Sequence, residues 1–81
     1  MKLLQFLKKL NLASNQIQDL YPLPANLEIL NISNNQLKII NPDVTYHLKN
    51  LTTLDVSNNG LETLDGIKNL KRLKRLICRN N

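Results

Sequence analysis

Cysteine and aromatic residues are scarce in this sequence: one Cys, no Trp, one Phe and two Tyr among 81 residues. The single cysteine, Cys78, excludes an internal disulfide, which is the usual support of a small secreted domain. With His47 as the only histidine, a structural zinc site is excluded as well. The only glycines are Gly60 and Gly66, too few for a phosphate-cradling loop. A core without aromatics must be aliphatic, and Leu is the commonest residue. No apolar run approaches the about 20 residues that a membrane-spanning helix needs. The apolar opening through Leu7 is broken by Lys8 and Lys9, with no small-residue cleavage site after it. These absences predict an intracellular protein, cytoplasmic or nuclear, with no membrane partner.

Acidic residues are missing from one end. Through Asp65 there are five basic and six acidic residues; beyond it there are six basic and no acidic ones. The net charge of +5 is therefore a local basic patch made by Lys68, Lys71, Arg72, Lys74, Arg75 and Arg79. Such a patch fits an anionic partner or an ordinary solvated surface, and the second reading is favoured. No aromatic residue interleaves with these cations for base stacking, so nucleic acid is the less favoured partner.

What the sequence has in abundance is a repeat. Segments starting at Leu7, Leu27, Leu51 and Leu73 align without gaps, reading LKKLNLASNQI, LEILNISNNQL, LTTLDVSNNGL and LKRLICRNN. Position one is Leu throughout. Position four is Leu10, Leu30, Leu54 and Leu76; position six is Leu12, Ile32, Val56 and Cys78. Position nine is Asn15, Asn35, Asn59 and Asn81. Position eleven continues as Ile17, Leu37 and Leu61, and position fourteen as Leu20, Ile40 and Leu64. Apolar side chains at positions four and six describe a short strand with one buried face, because strand side chains alternate. An asparagine amide at position nine can donate to and accept from backbone groups that a turn leaves inside. Cys78 falls in an apolar column, so it reads as a small buried hydrophobe.

Along essentially the whole chain from Leu7, these residues resemble the leucine-rich repeat family, L-x-x-L-x-L-x-x-N-x-L. The resemblance implies an α/β solenoid: a right-handed coil with a short parallel sheet on its concave face. Irregular, 3₁₀ or short helical segments would form the convex face. The domain reading is one repeat domain, or a fragment of one, over residues 1–81, with repeats starting at 7, 27, 51 and 73 and the last incomplete. Residues 1–6 would be a cap or the end of an earlier repeat. A solenoid needs polar caps. With nothing covering Leu73, Leu76 and Cys78, the open end is expected to be covered by further chain or another subunit.

The segments between motifs differ. Asp19–Asn26 carries two prolines and is expected to be extended. Asn41–Asn50 opens like a capped helical turn, with Pro42 early and Val44 and Leu48 facing inward. Asp65–Arg72 spaces Ile67 and Leu70 for a 3₁₀ or short α turn. This last segment resembles the intracellular 22-residue repeat class. Gly60, next to Asn59, is expected to ease the turn.

The resemblance also implies where a partner would bind: the outward strand positions two, three, five, seven and eight. The residues singled out are Lys9, Asn11, Glu28, Ile29, Asn31, Thr53, Asp55, Arg75 and Ile77. The fifth-position column is expected in mid-strand. Ser33 and Ser57 are expected to point outward with it, and Ile29 and Ile77 would be apolar contacts. Asp43, Asp55 and Asp65 lie in different repeats and make no carboxylate pair, so no catalytic constellation and no cofactor are expected. The function expected is a non-catalytic protein-interaction module. The alternative is a recognition segment of a larger signalling, phosphatase-regulatory, ubiquitin-ligase or chromatin-associated protein.

Overall fold

A computed structural model describes residues 5–81. Four three-residue strands form one parallel sheet in chain order. They are β1 (Lys9–Asn11), β2 (Ile29–Asn31), β3 (Thr53–Asp55) and β4 (Arg75–Ile77). Parallel neighbours need a crossover between them. Two crossovers carry a helix: α1 (Pro42–Thr45) between β2 and β3, and a 3₁₀ helix (Asp65–Asn69) between β3 and β4. The crossover after β1 has none, as its prolines require.

The register places Leu10, Leu30, Leu54 and Leu76 side by side. Each is the middle residue of its strand, so it faces the core while its two neighbours face away. The ladder continues past the strand ends through Leu12 N to Asn31 O (2.7 Å), Ile32 N to Asp55 O (2.9 Å) and Val56 N to Ile77 O (2.8 Å). Beneath the sheet, Leu27, Leu30, Ile32, Leu37, Leu51, Leu54 and Val56 are at most 1% exposed. The equivalent residues of the outer coils, Leu7, Leu10, Leu12, Leu73, Leu76 and Cys78, are only partly buried against that core.

The asparagine column closes each turn against the coil before it. Asn35 Nδ2 donates to Ile32 O and Ser33 O in its own coil and to Leu12 O in the preceding one, while its Oδ1 accepts from Ile17 N. Asn59 repeats this with Ile32 O and Leu37 N of the preceding coil, and Asn81 with Val56 O and Leu61 N. A buried amide with every polar atom engaged stabilises; one left unpaired would cost about 1–3 kcal/mol.

The left-handed turn residue stands one position before each ladder asparagine. Ser14, Asn34, Asn58 and Asn80, all at position eight, have φ of 61°, 56°, 55° and 58°. Asn tolerates this left-handed conformation better than most residues because its short polar side chain bonds locally. Gly60 has no positive φ, so its expected role in easing the turn is corrected: the left-handed residue there is Asn58.

The helical segments are locked to each other. Asn41 caps α1 by accepting from Asp43 N at 3.0 Å, with Pro42 in the first turn, where a missing N–H costs nothing. Val44 and Leu48 are buried. The buried Thr45 donates from Oγ1 to Gly66 O at 2.7 Å, and Asn69 Nδ2 donates to Pro42 O at 3.1 Å. Gly66 has to be glycine: a Cβ there would stand 1.9 Å from Ile40 O.

One core column departs from expectation. Leu20 and Ile40 are buried at position fourteen, but Leu64 is 44% exposed. The chain turns into the 3₁₀ helix directly after Leu64, and Leu70 and Ile67 fill the core from that segment instead. The expected N-terminal cap lies outside the described residues for 1–4.

Candidate protein-binding face

The face of the sheet away from the core is built from the residues flanking each central Leu. Register aligns Lys9, Ile29, Thr53 and Arg75 in one column, and Asn11, Asn31, Asp55 and Ile77 in another. The first column is available to a partner. Lys9 and Arg75 are exposed, Ile29 is 36% exposed, and Thr53 is half-buried. Beside it, Lys8 and Glu28 on adjacent coils stand 3.8 Å apart as a solvent-exposed ion pair.

The second column serves the framework. It lies at the strand ends, not mid-strand as expected, because each strand is only three residues long. There a side-chain oxygen can reach the amide two residues on, an Asx turn. Asn11 Oδ1 accepts from Ala13 N (2.9 Å), Asn31 Oδ1 from Ser33 N (3.0 Å) and Asp55 Oδ1 from Ser57 N (3.0 Å). Ser33 and Ser57, expected to point outward, are each 6% exposed. Past the strand end the alternation of faces no longer applies, and Ser33 Oγ donates to Asn31 Oδ1 at 2.7 Å. Ile77 cannot make an Asx turn, so Arg79 N donates across to Ser57 Oγ at 3.1 Å.

Comparison with known proteins agrees with this geometry. Residues 25–81 match a family model described as leucine rich repeat, and residues 4–20 match a second with the same description. The chain belongs to the leucine-rich repeat family. Repeats of this family generally mediate protein–protein interaction and are typically non-catalytic. The chain is also similar to geranylgeranyl transferase type-2 subunit alpha. It is 40% identical to the Homo sapiens protein over 52 residues, and 42% identical to the Mus musculus protein over the same length. Each match covers 64% of this chain and 9% of the relative, so the chain spans only a small part of those proteins. No solved structure matches.

The basic residues after Asp65 in this leucine-rich repeat chain lie on successive parts of the last coil. Lys68 lies on the 3₁₀ helix, 3.5 Å from Asp65. Lys71 and Arg72 lie in the turn that follows, and Arg72 Nη1 donates to Asn50 Oδ1 at 3.2 Å. Lys74 and Arg75 lie at β4, and Arg79 beyond it. Cys78 is a free, half-buried thiol packed against the core. His47 is exposed beside Tyr46, ring centroids 5.4 Å apart. Among the described residues, no three His, Cys, Asp or Glu side chains cluster as metal ligands, and no helix is long and apolar enough to cross a membrane.

The sequence alone did not reveal the framework role of the second column or the left-handed turn. A signal for the turn was present: Asn recurs at 34, 58 and 80, one residue before the ladder asparagines. For the second column, the recurrence of Asn, Asn and Asp was the corresponding signal.

Proposed function

We propose that this chain is a protein-interaction module that holds a partner across the concave face of a right-handed leucine-rich repeat coil. The observation that carries the reading is the aligned column Lys9, Ile29, Thr53 and Arg75, which spans all four strands. Among the described residues its side chains make no hydrogen bond or ion pair, whereas those of the neighbouring Asn11, Asn31 and Asp55 close Asx turns within their own coils. A cationic residue at each end, with an apolar and a hydroxyl residue between, favours a peptide or protein surface with acidic ends and an apolar centre. Glu28 borders the column, and Ile77 adds apolar area at the β4 edge. The domain is read as one unit with repeats starting at Leu7, Leu27, Leu51 and Leu73. It is placed inside the cell, with no catalytic residue of its own.

The transferase relatives favour a second reading, in which the module is the recognition segment of a larger protein, such as a subunit of an enzyme. Both readings use the same face. The test is affinity capture with the parent chain and with a variant carrying Lys9→Glu, Ile29→Lys, Thr53→Lys and Arg75→Glu. These four positions can be changed without disturbing the asparagine ladder or the Asx turns. Loss of the captured partner with an unchanged circular dichroism spectrum is expected. Undiminished capture by the variant would overturn the reading.

A further inference from the structure

A cleft of about 510 Å³ opens beside α1, lined by Tyr46, Lys49, Asn50, Asn69, Lys71 and Arg72. Its size lies within the range of small-ligand sites, roughly 300–1,000 Å³. Three cations from two successive coils line it, Lys49 from one and the adjacent Lys71 and Arg72, 22 and 23 positions later, from the next, and no carboxylate lines the cleft. Among the described residues, the only ion pairs are Lys8 with Glu28 and Lys68 with Asp65, so Lys49, Lys71 and Arg72 are unneutralised.

Two of these side chains are pre-positioned. Asn50 Oδ1 accepts from Arg72 Nη1, which steadies the guanidinium and leaves the remaining Arg72 N–H groups and the Asn50 amide as donors. Lys49 Nζ stands 5.8 Å from the Tyr46 ring centroid, a cation–π placement that holds its charge at the rim. Asn69 is engaged elsewhere, with Pro42 O and Thr45 Oγ1, and serves as the floor. The site thus offers several donors and uncompensated positive charge. A single carboxylate would leave much of this unmatched. A phosphate group, with three acceptor oxygens and nearly two negative charges, would use it.

We propose that this cleft is a phosphate-binding site, separate from the sheet face, that takes a phosphorylated side chain of a protein or a free phosphate dianion. The test is an ¹⁵N-resolved NMR titration of the chain with three probes: a short phosphoserine peptide, its unphosphorylated counterpart, and inorganic phosphate. Saturable shifts confined to Tyr46–Asn50 and Asn69–Arg72, seen only with the phosphate-bearing probes, are expected. Binding should weaken at least fivefold in Lys49→Gln and in Arg72→Gln, with amide dispersion retained, and stay unchanged in Lys68→Gln. Tighter binding of the phosphopeptide than of inorganic phosphate assigns the source to a protein; equal binding assigns it to the free ion. Shifts that do not saturate, or that spread equally over Lys8, Lys9, Lys74 and Arg79, would overturn the proposal, as would full binding by both glutamine variants.

Discussion

The two middle coils and the two outer coils carry the same motif, yet the molecule treats them differently. Leu30 and Leu54 are each 1% exposed, while Leu10 and Leu76, in register with them, are only partly buried. Asn35 is 8% exposed and its side chain makes four hydrogen bonds; Asn15 is exposed and, among the described residues, its side chain donates only to Leu12 O and Ala13 O in its own coil. The motif therefore specifies the shape of a coil, and its neighbours specify what that shape buries. One coil cannot cover its own apolar face, so stability in such an array is largely a property of interfaces between coils.

The most direct way to break this comparison is to remove the same side chain from both regions. Leu54→Ala should cost about 2–5 kcal/mol, the usual range for emptying a tightly packed leucine site. Leu10→Ala should cost roughly half as much, because the site is already partly open and can collapse. Urea midpoints with unchanged m-values would measure both. Equal losses would mean that the outer coils are as tightly held as the middle ones.

The asparagine ladder gives the next contrast. Asn35→Ala removes an amide that serves two coils and leaves Ile17 N without its acceptor, while Leu12 O and Ile32 O keep Asn15 and Asn59 as donors, for an expected cost of about 1–3 kcal/mol. Asn15→Ala should cost under about 1 kcal/mol, since water can replace its partners. The glycines give a third. Gly66→Ala forces a Cβ into Ile40 O and should cost about 1–3 kcal/mol, read as a fall in melting temperature. At Gly60 the added carbon would meet Leu37 O at an ordinary 3.7 Å, so Gly60→Ala should be neutral or slightly stabilising.

These contrasts show how far the sequence could be read. The apolar columns were legible because four aligned segments repeat them, and the strands at Lys9, Ile29, Thr53 and Arg75 sit where the alternation puts them. The helical turn at Pro42 was legible from its own cap and proline. Features that depend on a second coil were not. Gly66 has no local reason to be glycine; the reason is the Ile40 carbonyl, 26 positions earlier. Leu64 fits the column template but loses its core place to Leu70 because the helix begins beside it. The binding face was legible as a set of positions. Asn11, Asn31 and Asp55 were counted as available because periodicity cannot tell a strand's last residue from its middle one. The cleft was hidden because Lys49 stands apart from the basic run that supplies Lys71 and Arg72.

The smallest expected effect isolates backbone conformation from packing. Position eight is left-handed in all four coils, but the first uses Ser14 where the others use Asn. Ser14 and Asn34 are both exposed, and the Asn34 side chain makes no hydrogen bond among the described residues, so exchanging them changes little besides the conformational preference. Asn is several-fold richer than most residues in this region, equivalent to about 0.5–1 kcal/mol. Ser14→Asn should therefore stabilise the chain by about that amount, and Asn34→Ser should destabilise it by the same amount, measured as opposite shifts of the urea midpoint. Equal and opposite shifts would show that the turn is set by its own residue, independent of the coil it closes. A larger loss at Asn34 than gain at Ser14 would show that the middle coils enforce the turn more tightly than the outer one does.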